Sequence, residues 1–327
     1  MNAQDEAWKS KFQPAWWLPS AHLQTLWPAL FRLRPRPPTS RERMELDDGD
    51  FVDLDWACGP GHRTALILHG LEGSSRSHYA RSMLSTLNAR GWRAGVMHFR
   101  GCSGELNRLP RNYHSGDTRD LDFVAERIRQ RWPDTPLAVI GFSLGGNVLL
   151  KWLAERRAAA PVSAAVAVSV PFQLDKVASR LGAGASRLYQ WRLLSGLRRK
   201  MYKKLRERPL PITRDAVDAG KDFFSFDDRI TAPLHGFAGA DDYYRKSSCG
   251  QYLRTIEKPT LVIHALDDPF MVEDVVPAAA ATSAYVRLEV SCGGGHVGFV
   301  SGVNPLRPRY WLEERIPQFL DDVVRPS

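Results

Sequence analysis

The chain has 327 residues, of which 43% are hydrophobic and 10% aromatic, enough for one large mixed domain with a substantial core. No apolar run reaches the roughly 18 residues that a membrane-spanning helix needs. Four scattered cysteines (Cys58, Cys102, Cys249 and Cys292) lack the spacing of a zinc site or a disulfide framework, and a net charge of +9 raises the question of an anionic partner.

The opening MNAQDEAWKSKFQPAWW lacks the charged start and unbroken apolar stretch of a signal peptide, so the chain reads as cytoplasmic. Residues 14–39 are rich in Pro and Trp and then turn basic, which predicts an irregular N-terminal arm (about 1–45) closing in a proline-rich connector. FVDLDW (51–56) alternates apolar and polar residues, as a half-buried edge strand does. Strand and helix patterns then alternate: strands at 64–70, 93–99, 137–143 and 163–170, helices at 77–91, 117–132 and 144–158. Strands at 260–268 and 286–294 and a helix at 309–324 complete the set. This alternation predicts a mostly parallel sheet with helices on both faces in a single domain, 1–327. About ninety residues of helical character separate the strand ending near Val170 from the one starting near Thr260. An insertion there (about 172–255) is expected to form a helical cap over the active edge of the sheet.

Gly141-Phe142-Ser143-Leu144-Gly145 fits G-x-S-x-G, with a strand before it and a helix after it. That setting holds a serine hydroxyl exposed on a strained turn at a helix N-terminus, as a nucleophile requires. The oxyanion of an acyl-transfer intermediate needs two backbone N–H donors. Leu144, just after the nucleophile, is one candidate, and Leu71, in the His69–Gly73 loop after the strand 64–70, is the other; His69 reads as a residue that shapes this loop. An α/β-hydrolase triad runs serine, acid, histidine along the chain. Asp267 and Asp268 end the strand 260–268; in hydrolases of this fold the acid usually falls three positions after a small residue ending the strand, here Ala265, which selects Asp268, with Asp267 as the alternative. His296 lies behind three glycines and is the single histidine downstream of these acids, which makes it the candidate base. No HxxxH or HExxH pair occurs, so neither a catalytic metal nor any cofactor is expected.

Longer blocks carry a family resemblance. Phe12–Leu18 with His22-Leu23-Gln24-Thr25, Phe99–Arg108 with Tyr113–Thr118, Phe226-Asp227-Asp228 through Tyr244, and Ala265–Phe270 are similar to the YheT-like group, family four of the α/β-hydrolases, related to the eukaryotic abhydrolase-domain lipases. The resemblance spans about residues 12 to 323 and implies a one-domain hydrolase of carboxylic esters, short- to medium-chain acyl esters or acylglycerols among them. Some relatives carry an H-x4-D acyltransferase motif; here five residues separate His114 from Asp120, and the motif is not met. Two other readings stay open: an acyltransferase on the same three residues, and a non-catalytic binding protein. The Arg100–Gly104 loop follows a strand and either lines the pocket or is a tight glycine-held turn. Tyr243 and Tyr244 read as aromatic packing beneath the cap.

The charge imbalance has a local source. Residues 187–208 hold nine basic residues against one acid, Glu207. Leu188, Trp191, Leu194, Leu197, Met201 and Leu205 recur there at steps of three or four, which predicts an amphipathic helix with a cationic face. It reads either as a cap helix with a solvated basic side or as a peripheral contact with anionic membrane at the inner face. No nucleic-acid module accompanies the charge, so the expected partner is a small-molecule ester and not a nucleic acid.

Overall fold

Near-continuous apolar runs place β3 (Arg63–Leu68), β5 (Leu137–Phe142), β6 (Ala164–Val168) and β7 (Thr260–Ala265) side by side and parallel, almost wholly buried, at the centre of the computed structural model. β4 (Trp92–His98) and β8 (Val286–Ser291) extend the parallel part, and β1 (Thr39–Glu45) and β2 (Phe51–Ala57) add antiparallel strands. The order is β1-β2-β4-β3-β5-β6-β7-β8. Residues 10–32, 37–59 and 61–324 are described by the structure; the first nine residues and positions 33–36 of the proline-rich connector lie outside them.

Helices α2 (His78–Ala89) and α9 (Leu312–Val323) bury Met83, Leu87, Ile316 and Leu320 against one sheet face. The other face is covered by α3 (Arg119–Arg131) and α4 (Leu144–Arg156) through Val124, Ile128, Val148 and Trp152. Between β6 and β7 the chain is helical, with α5 (Leu174–Leu181), α6 (Arg187–Glu207), α7 (Arg214–Ala219) and α8 (Ala240–Ser247); the first three gather around Leu181, Leu194, Met201, Phe223 and Phe226, and α8 packs Ala240, Tyr243 and Tyr244 against Leu174.

Three expectations change. The alternation in FVDLDW points to a half-buried edge, yet β2 is buried throughout and lies between β1 and β4. Its acids face partners rather than water: Arg43 donates to both oxygens of Asp53 at 2.8 and 3.0 Å, and Arg41 does the same for Asp55. Ser75 donates to Asp55 at 2.6 Å and His98 Nε2 lies 3.0 Å away. Desolvation alone would raise the pKa of Asp55, but its bonds to His98, Arg41 and Ser75 hold it far below the usual carboxylate range. An unpaired buried carboxylate costs several kcal/mol, so this strand is interior only because each acid is paired.

Second, the N-terminal arm is not irregular throughout its described residues, since a helix interrupts it. Ser20 Oγ accepts the Leu23 N–H at 3.3 Å and caps α1 (Ala21–Phe31), whose Gln24, Thr25 and Pro28 are buried. Third, α6 buries Leu194 and Met201 of its apolar stripe and exposes Arg187, Arg192 and Arg199, as expected, but the two faces are not cleanly divided. Lys204 is fully buried and donates to the carbonyls of Leu109, Pro110 and Arg111 at 2.9, 3.3 and 3.0 Å, whereas Leu188 and Trp191 are exposed. The Arg108–Arg111 segment turns its carbonyls toward the helix, which gives a buried ammonium three acceptors.

Candidate active site

Ser143 occupies the single residue between β5 and α4, with φ 52° and ψ −120°. Non-glycine residues rarely adopt a positive φ, and the turn is crowded besides. A Cβ on Gly141 would lie 2.4 Å from Gly145 O, and one on Gly145 would lie 2.6 Å from His69 O. Only glycine fits at positions 141 and 145, two residues to either side of the serine. Its N–H donates to Val168 O at 2.8 Å, which ties the turn to the end of β6.

Asp268 follows β7 through a turn closed by its N–H on Ala265 O at 3.2 Å. Its Oδ1 accepts the Phe270 N–H at 2.9 Å, and its Oδ2 lies 2.8 Å from His296 Nδ1. His296 Nε2 lies 3.0 Å from Ser143 Oγ. The histidine ring also stacks on Phe270, with centroids 3.9 Å apart and planes at 4°. Asp267 faces elsewhere and accepts the Gly295 N–H at 2.9 Å; burial raises its pKa. The fold thus brings Ser143, Asp268 and His296 together and leaves Asp267 as a brace for the histidine loop.

Other braces escaped the sequence reading. Thr25 of α1 accepts the His296 N–H at 2.9 Å, Ser169 accepts the Val297 N–H at 3.0 Å, and Gln24 exchanges two bonds with Val300 at 3.1 and 2.9 Å. The Ser20 cap ahead of AHLQTLWPALF was the available signal for this helix. Backbone strain gathers at the same place: Glu72, Ser143, Ser169, Val297 and Phe299 all have φ between 47° and 58°. Such residues persist only where their surroundings over-determine them.

In the His69–Gly73 loop, Gly70 N donates to Tyr79 Oη at 2.8 Å, Glu72 N to Tyr113 Oη at 2.8 Å, and Gly73 N to Gly70 O at 3.0 Å. The Leu71 N–H has no protein acceptor among the described residues and borders the same cavity as Ser143. Leu144 is the first residue of α4, so its N–H has no intrahelical acceptor. Buried His69 shapes this loop: its Nδ1 lies 2.7 Å from Gly70 O, and its Nε2 accepts the Phe99 N–H at 3.2 Å. The helical insertion reaches the loop as well. Lys200 of α6 donates to Glu72 Oε1 at 2.7 Å, and Tyr113 Oη donates to the same oxygen at 2.9 Å.

The Arg100–Gly104 loop does not line this cavity. Arg100 turns away, donating to Asp120 at 2.7 and 2.6 Å and to Asp50 at 3.0 Å. Asp120 is occupied there, which separates it from His114, a cavity-wall residue.

The cavity over Ser143 and His296 measures about 730 Å³ and is walled by α1, the His69–Gly73 loop, α5, α6 and the helical turns near Phe226. Its walls are mainly aliphatic and aromatic, with His114 and His235 in edge contact at 4.5 Å. Tyr243 and Tyr244 are buried beside them; Tyr243 Oη accepts the Ser115 N–H at 3.0 Å, and Tyr244 Oη donates to Asp227 at 2.8 Å.

Burial pushes five imidazoles down, His69, His78 and His235 to about 3 and His114 and His264 to about 4. In the unfolded chain each takes a proton near its ordinary value of about 6.5, but in the folded chain only far below it. Their contribution to stability is therefore complete above about pH 6.5 and is lost as pH falls toward 4. Asp227, raised by burial to about 6, opposes this, and Asp120 and Asp267, also raised by burial, act in the same direction as Asp227 against the five imidazoles. The midpoint of thermal unfolding is expected to fall steadily from pH 7 to pH 5; a flat profile over that range would contradict neutral burial of these rings.

The α/β-hydrolase fold family matches residues 65–303. The candidate esterase YheT of Escherichia coli (strain K12) is 44% identical over 317 residues, covering 95% of this chain and 93% of its own. The mouse phospholipase ABHD3 is 28% identical, covering 96% of this chain and 79% of its own. The Pyrococcus furiosus esterase Pf2001 superposes with a TM-score of 0.58 at 20% identity, over 88% of this chain and 91% of that one, a likeness of fold. The chain belongs to the α/β-hydrolase superfamily. Within it, the chain is a member of the YheT-like family.

Proposed function

We propose that Ser143 attacks the carbonyl of a carboxylic ester and forms an acyl-enzyme that water then cleaves. The chain is an ester hydrolase of the α/β-hydrolase superfamily, and the observation that carries the finer reading is the run of two hydrogen-bond distances from Asp268 to His296 to Ser143. In this reading His296 Nε2 takes the hydroxyl proton as Oγ bonds to the carbonyl carbon, then passes it to the departing alkoxide. Water repeats the cycle on the acyl-enzyme. Asp268 keeps the proton of the neutral imidazole on Nδ1, and the N–H groups of Leu71 and Leu144 receive the oxyanion. The apolar cavity suits an acyl chain. A fluorophosphonate adduct located on Ser143 by mass spectrometry is the direct test; an intact protein mass after prolonged exposure would sink the proposal and favour a binding protein. Adding an alcohol acceptor separates hydrolysis from transfer, because a transferase diverts most product into the new ester.

The Lys200–Glu72 contact gives this reading a second test. Glu72 sits at φ 54° beside the proposed donor Leu71, held by Tyr113 from the sheet side and Lys200 from α6. Lys200→Met is expected to lower kcat about tenfold, or roughly 1.4 kcal/mol in the barrier, with KM within about twofold. Lys200→Arg should recover most of the loss. Equal kcat in all three proteins would show that the contact does not position the loop.

A further inference from the structure

We infer that the mouth of the cavity docks on an anionic lipid bilayer through two helices, α1 and the first half of α6. The inference deepens the reading above, because the surface surrounds the site assigned to ester cleavage. Helix α1, AHLQTLWPALF, has no charged residue. One side of it braces the histidine loop; the other leaves Leu23, Leu26, Leu30 and Phe31 exposed to solvent, Leu30 to 67%. Across the mouth, α6 exposes Leu188 and Trp191, the latter also to 67%. The two helices meet where His22 Nδ1 and Tyr189 Oη lie 3.0 Å apart with their rings stacked. Leu26 of α1 and Trp191, Arg192 and Arg199 of α6 line the cavity that holds Ser143 and His296. Leu26 and Trp191 therefore border the opening itself, and the other exposed apolar side chains lie on the same two helices.

Charge complementarity selects the occupant. Arg187, Arg192 and Arg199 are exposed beside these side chains, and α6 has no acid before Glu207. From residue 10 through residue 41 the N-terminal segment has none either. Exposed leucine and tryptophan flanked by arginine, with no carboxylate, match the boundary between acyl chains and anionic headgroups. A bilayer seated there would present an acyl chain at the opening of an apolar cavity. The expected contact differs from a purely cationic one along 187–208, because Lys200 and Lys204 face inward and the uncharged α1 carries half of the surface.

Cosedimentation of the full chain with sucrose-loaded vesicles tests this, using phosphatidylcholine alone or mixed with phosphatidylglycerol. The bound fraction on mixed vesicles at low salt is expected to exceed that on neutral ones by more than tenfold. The Leu23→Ser/Leu30→Ser/Leu188→Ser variant, whose changes lie outside the cavity wall, should lose at least tenfold in partitioning yet keep its rate on p-nitrophenyl acetate and its unfolding midpoint. Ser143→Ala should bind vesicles like the unaltered chain, which keeps docking separable from catalysis. No binding by the unaltered chain, or equal binding by the triple variant, overturns the inference. A self-association that the triple variant abolishes, without vesicle binding, assigns the surface to a second copy of the chain and overturns it too.

Discussion

Replacing Ser143 by alanine is expected to lower kcat for a p-nitrophenyl ester by about 10⁴- to 10⁶-fold, with KM changed by less than about threefold. The large factor arises because, on the proposed mechanism, serine, histidine and acid act as one unit. Without Oγ, His296 has no hydroxyl to deprotonate, and only the oxyanion donors and ordinary binding remain to help a water molecule. A loss below about tenfold would show that the chemistry lies elsewhere. Ser143→Gly adds a measurement that alanine cannot. At φ 52° a Cβ is strained, so glycine should be as inactive as alanine while unfolding about 1 kcal/mol later, a shift of a few degrees in Tm. An inactive variant more stable than its parent would show strain held at the site.

The second large effect separates two neighbours. Asp268→Asn is expected to lower kcat by about 10⁴-fold, because an amide can turn its NH₂ toward His296 Nδ1. The ring proton then moves to Nε2, which no longer accepts the hydroxyl proton of Ser143. Asp267→Asn keeps a carbonyl oxygen for the Gly295 N–H and should cost less than about tenfold. A reversed ranking would make Asp267 the acid and reassign the contact at 2.8 Å to support.

The parallel core was legible because strands covered on both faces read as unbroken apolar runs, as in TALILHG and LAVIGFS. Ser143, Asp268 and His296 were legible because each follows a strand in the expected order. Other features depend on partners that no local pattern reveals. Asp53 and Asp55 look solvent-facing until Arg41 and Arg43 of the neighbouring strand cover them. Trp and Pro between positions 14 and 39 suggested an irregular arm because α1 owes its inner face to a loop at residues 295–300. Helical spacing in 187–208 gave a periodicity, but which side turns inward was decided by the carbonyls of residues 109–111. Arg100 was uncertain for a like reason: its acids, Asp50 and Asp120, come from two different parts of the chain.

The bonds between Gln24 and Val300 join residues 276 positions apart. Synthesis proceeds from the N-terminus, so the strands that carry Ser143 emerge and can pair well before the segment that closes on α1. Until residues 295–300 leave the ribosome, α1 has no loop to brace and its inner face stays uncovered. His296, the proposed base, is therefore the last piece of the site to be seated. On the proposed mechanism a nascent chain can hold a finished turn at Ser143 and still be inert, which defers reactivity until α1 and the 295–300 loop have met.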